Sequence, residues 1–91
     1  KVNVLEPDDY YIYFGTKGKV TGNIAISAGS DVSNLGEGIT KEATASGYSY
    51  WNGPYEYGPY SLGIGTNYVR IDFEAGLALN DIRITNVRKI E

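Results

Sequence analysis

Apolar and polar residues alternate with a period of two along most of this chain, and no apolar row recurs at helical spacing. Val2 and Val4 mark a first strand within Lys1 to Leu5, and the Pro and Asp content of Glu6-Pro7-Asp8-Asp9 predicts a turn after it. Tyr10-Tyr11-Ile12-Tyr13-Phe14 is too rich in aromatics to alternate cleanly. It predicts a strand buried on both faces, or one with a second aromatic face in use. Gly15-Thr16-Lys17-Gly18 then reads as a hairpin turn, and Lys19 to Ser27 as a strand with Val20, Ile24 and Ile26 inward. Gly22 interrupts this strand without shifting the phase of its apolar residues, so no bulge is expected there.

Residues 28–38 form the longest loop by composition, rich in Gly, Ser, Asn and acids. Ile39 to Ser46 is a strand that carries small residues on one face, leaving room for something bulky opposite. Val69, Ile71 and Phe73 make the clearest inward row of the chain, with Tyr68, Arg70 and Asp72 outward. Leu77 and Leu79 give a short segment, and Asn80-Asp81 leads into a last strand with Ile82 and Ile84 inward. Val87 and Ile90 fall out of that phase, so this strand bends, carries a bulge or ends near Asn86. The pattern predicts an all-β fold: a single antiparallel β-sandwich, jelly-roll or immunoglobulin-like, of seven to eight short strands.

Half of the aromatic residues fall in Gly47 to Tyr60, which contains Gly-Pro-Tyr twice, at Gly53 to Tyr55 and at Gly58 to Tyr60. This stretch lies between the strand lined with small residues and the clearest inward row. The expectation is a strand edge plus a protruding loop fixed by its prolines, which limit the entropy lost on binding.

Composition then narrows the chemistry. With 91 residues the chain is one domain, and its start at Lys1 without a Met points to a processed product or a module cut from a larger exported protein. It has nine Tyr and no Cys, Met or His, which removes disulfides, thiol and histidine nucleophiles and the usual soft metal ligands. A net charge of −3 argues against nucleic acid as a partner. No apolar run is long enough for a membrane helix. The Tyr, Thr, Ser, Gly and Asn richness with β character points to a secreted or cell-surface protein.

Tyr and Trp present flat amphipathic faces on which the C–H groups of a sugar ring stack, while nearby polar groups bond its hydroxyls. Trp51, Tyr55, Tyr57 and Tyr50 are therefore the candidate platform, with Asn52 and Glu56 as polar partners. An extended backbone puts Tyr55 and Tyr57 on one side and Glu56 on the other. The competing expectation is that a lone Trp anchors the core, and that tyrosines beside Gly and Pro close the end of a sandwich through backbone hydrogen bonds. Tyrosine-rich surfaces also serve protein partners, including neighbouring domains of a parent chain.

Asp8, Asp9, Asp31, Glu37, Asp72, Glu74 and Asp81 are oxygen ligands suited to a structural calcium ion, but no calcium-loop spacing joins them. The acids lie mostly in turns, and so short a chain leaves little material for a cleft. Neither a glycosidase-type carboxylate pair nor any other catalytic signature is predicted. No cofactor is expected.

Gly65-Thr66-Asn67-Tyr68-Val69-Arg70-Ile71-Asp72-Phe73, followed by Leu79-Asn80-Asp81-Ile82-Arg83-Ile84, resembles the closing strands of jelly-roll carbohydrate-binding modules from bacterial secreted glycan-degrading enzymes. That resemblance implies a sandwich fold and a polysaccharide or oligosaccharide as ligand. It assigns no individual sugar-contacting residue.

Overall fold

The computed structural model describes residues 1–18, 21–35, 38–43 and 47–87, the stretch 47–52 by its backbone alone. Seven strands follow one another: β1 (Val2–Val4), β2 (Asp8–Gly18), β3 (Gly22–Gly29), β4 (Ile39–Ala43), β5 (Gly47–Leu62), β6 (Gly65–Phe73) and β7 (Leu77–Thr85). They form an antiparallel sheet of order β1-β6-β3-β4 and a second of order β5-β2-β7. The chain is all-β and folds as a small β-sandwich.

The inward rows follow from the period of two. Ile24 and Ile26 of β3 are completely buried, and Val69 and Ile71 of β6 pack against the same core. From the other sheet come Ile12 and Phe14 of β2, Tyr57, Tyr60 and Leu62 of β5, and Leu77 of β7. The register of β3 runs unbroken from Gly22 to Gly29 through its pairings with β4 and β6, so Gly22 interrupts nothing. Phe73 ends the β6 row half exposed. Val20 and Ile90 lie outside the described residues.

Three sequence expectations need correction. Gly15 to Gly18 is no hairpin turn: β2 continues through it to Gly18, and Thr16 is fully buried. Asn80-Asp81 does not separate two segments either. It lies within β7, where Asp81 and Ile82 together oppose Phe14 between the pairs Tyr13↔Arg83 and Gly15↔Asn80, and Ile82, expected inward, is 48% exposed at this bulge. Asp81 adopts a positive φ of 51°, a conformation that Asp tolerates better than most side chains.

The third correction concerns residues 47–60, which do not protrude. They belong to β5, a continuous strand of 16 residues at the edge of the smaller sheet. Each Gly-Pro pair is a β-bulge. Gly58 and Pro59 together oppose Tyr11, between the pairs Tyr60↔Tyr10 and Tyr57↔Ile12, and Gly53 and Pro54 together oppose Gly15. Both Gly-Pro peptides are cis, and both glycines have φ near +130°, at 128° for Gly53 and 127° for Gly58. Proline cannot donate to a ladder, so it is tolerated in sheets at edges and bulges, and β5 offers both.

The bulge also explains the inward tyrosines. Tyr55 and Tyr57 share a face, but an unbroken strand would turn Tyr60 away from it. The extra residue at Gly58-Pro59 shifts the phase by one, so Tyr60 and Leu62 join Tyr57 in the core.

Candidate functional site

The described part of the aromatic stretch is built into the interior. Tyr57 is 1% exposed, with its ring 5.4 Å from that of Phe14, and Tyr55 packs on the same ring at 5.9 Å. The Tyr57 hydroxyl donates to the carbonyl of Ile24 at 2.6 Å, with the Lys41 carbonyl farther off at 3.3 Å. The Tyr60 hydroxyl donates to Ile26 at 2.8 Å. Two tyrosines of one sheet are thus tied to carbonyls two residues apart on the facing sheet. On β4, Ala43 belongs to the same buried cluster as both tyrosines, and Lys41 places its ammonium 5.3 Å from the Tyr57 ring centre.

Burial pushes both phenols up. For Tyr57 desolvation leads, opposed by the Lys41 backbone and reinforced by Tyr55. For Tyr60 desolvation is again the main cause, followed by its neighbour Tyr57.

Tyr57 is therefore not a stacking platform, because both its ring and its hydroxyl are consumed inside the sandwich. Tyr55 is half-buried against Phe14. Tyr50, Trp51 and Asn52 have backbones in β5, and their side chains lie outside the described residues.

Glu56 faces the other way, as the alternation predicts, and there it meets a residue that the sequence reading did not single out. Tyr13 is 4% exposed yet does not belong to the core cluster that contains its neighbours Ile12 and Phe14. Its hydroxyl donates to Glu56 Oε2 at 2.8 Å on the outer face of the three-stranded sheet. The register aligns Glu56 of β5, Tyr13 of β2 and Arg83 of β7 in one cross-strand row. Arg83 is held by Asp81, Nε to Oδ1 at 3.0 Å, and both are well exposed. Half-buried Tyr11, paired with Thr85, lies two residues along the same face. This is the second aromatic face that the Tyr10–Phe14 run announces.

The chain matches no known family model, characterised protein or solved structure. The site's meaning rests on its own chemistry. The outer face combines an aromatic ring, a carboxylate positioned by a phenol, and a guanidinium fixed by its own acid, all carried on rigid strands.

The other acids are engaged separately. Asp72 pairs with Arg70 at 3.0 Å, and Glu74 Oε2 accepts the amide of Asn23 at 2.7 Å. Among the described residues no three acids gather where they could hold a metal ion, and Glu37 lies outside that set. One further polar group that the sequence reading passed over is Asn67, 1% exposed, whose Nδ2 donates to Gly63 at 2.8 Å and pins the connection from β5 to β6.

Proposed function

We propose that the chain is a non-catalytic carbohydrate-binding module of a secreted or cell-surface protein, and that its ligand lies on the outer face of β5-β2-β7. The observation that supports this is the row Glu56–Tyr13–Arg83 with Tyr11 beside it. Tyr11 supplies a ring face for a sugar's C–H groups, while Glu56 and Arg83 offer an acceptor and a planar donor fork for hydroxyls. Tyr13 serves as the floor that orients Glu56. A flat face of this kind suits a soluble glycan chain lying across the strands, and no step of bond cleavage is assigned to it. Trp51 is retained as a stacking candidate on β5, and Tyr55 and Tyr57 are assigned to the fold.

Affinity gel electrophoresis with soluble polysaccharides tests the reading. Retardation on at least one glycan is expected, weakened at least tenfold by Arg83→Ala and by Tyr11→Ala, which leave the core untouched. Absence of retardation on every glycan, or retardation unchanged in both variants and in Trp51→Ala, would reject it.

A second reading, a structural or adhesive module that contacts protein, is favoured by a different observation. Leu5 is 83% exposed and Ile64 71%, and continuing the β1–β6 register sets these two residues opposite each other at one end of the sandwich.

A further inference from the structure

The described strands leave four sheet edges, β1 and β4 in one sheet and β5 and β7 in the other, and three of them are blocked against pairing. On β5, Pro54 and Pro59 lack amide donors and sit at bulges. Charged Lys41 and Glu42 line β4, and Lys41 Nζ reaches across to the Glu56 carbonyl at 2.6 Å. A bulge at Asp81 and the Arg83–Asp81 pair interrupt β7.

The β1 edge has none of these devices. Val2-Asn3-Val4 carries no charge, proline or bulge, and pairs with β6 in unbroken register. In the larger sheet β1 lies at the opposite edge from β4, and it is β3 and β4 that pack against β5. Beside β1 runs a groove of about 320 Å³, lined by Val2, Asn3, Val4 and Leu5 on one side and by Tyr10 and Ile84 on the other.

We propose that this edge pairs with β1 of a second copy, antiparallel and about a two-fold axis through Asn3, joining two four-stranded sheets into one. A two-fold axis normal to the sheet keeps inward residues inward, so Val2 of each copy stands opposite Val4 of the other. The four valines then continue one apolar row across the junction, beside the groove. Charge sets the direction. Lys1 and Glu6 flank the strand, so antiparallel pairing brings each Lys1 to the end where the other copy's Glu6 lies, while parallel pairing would set like charges together. With only three residues in β1 the contact is small, and the dimer is weak and in rapid exchange. This inference stands apart from the sugar reading, since the two surfaces share no residue.

Sedimentation velocity of the whole chain from about 10 μM to about 1 mM at low salt tests it. A monomer–dimer equilibrium is expected, with a dissociation constant of about 10⁻⁴ M. Asn3→Lys sets two lysines face to face on the axis and should abolish dimerisation, with the thermal midpoint of the dilute protein unchanged because Asn3 is exposed. Lys1→Glu and Glu6→Lys should each weaken association several-fold, and the double exchange should restore it. A wild-type protein that stays monomeric at 1 mM overturns the proposal, as does a dimer indifferent to Asn3→Lys. Failure of the double exchange to restore association overturns the antiparallel arrangement.

Discussion

Replacing Tyr57 or Tyr60 by Phe removes one hydroxyl and leaves ring volume and ring contacts in place, so it isolates the inter-sheet ties. Each hydroxyl donates to a β3 carbonyl from a buried position, Tyr57 to Ile24 at 2.6 Å and Tyr60 to Ile26 at 2.8 Å. Losing such a bond at a buried site costs about 1–2 kcal/mol. For a domain of this size, that lowers the midpoint of thermal unfolding by roughly 5–12 °C for each variant.

The titration of these phenols gives an independent signature. Both folded-state values lie above the ordinary value of 10.0, so the folded protein binds more protons than the unfolded chain once the pH exceeds that value. The stability contributed by the neutral phenols is complete below about pH 10 and is lost as pH rises toward the folded values. The loss runs at up to about 1.4 kcal/mol per pH unit for each group. Urea unfolding at pH 8, 10 and 11 should show this decline in the wild type, a shallower one in each single variant, and the shallowest in Tyr57→Phe/Tyr60→Phe. Single variants within about 0.3 kcal/mol of wild type at pH 8, or a double variant with the wild-type alkaline slope, would refute the ties.

Other outcomes test other features. Gly58→Ala places a Cβ 2.8 Å from the Tyr10 carbonyl oxygen at a φ of 127°, and should cost about 3 kcal/mol in urea unfolding. Gly63→Ala, whose added methyl meets nothing within 4 Å, should stay within about 0.5 kcal/mol of wild type. Asp72→Asn breaks an ion pair whose side chains are 63% and 59% exposed, and should change stability by less than about 0.5 kcal/mol at any salt concentration.

The rows of β3 and β6 were legible because each strand keeps one register and its apolar residues hold one phase. The smaller sheet was not, because its phase changes at bulges. Nothing in Gly58-Pro59 announces that the chain will absorb two residues opposite one and continue as strand, since the same dipeptide ordinarily ends a strand. Gly15 to Gly18 misled for a related reason. Its composition is that of a turn, yet Thr16 lies at the centre of a sheet with β5 and β7 on either side. The opposition of Glu56 to Tyr55 and Tyr57 followed from alternation alone, but which side faced the core depended on the pairing with Phe14. Arg83 gave no signal, because its place beside Tyr13 is a matter of register between strands distant in sequence.

The two ends of the described chain enter different sheets, β1 in the larger and β7 in the smaller. Tension applied through the flanking chain would therefore be carried from one layer to the other. The three pairs that hold β1 to β6 are the weakest link on that path, and they would peel first. Once β1 is gone, the load passes along the chain to β2, whose start pairs directly with the end of β7, Tyr11 opposite Thr85. Under load the domain would give way in two stages, a short early extension at low force as β1 peels and then an unzipping of the β2–β7 pair from its Tyr11–Thr85 end.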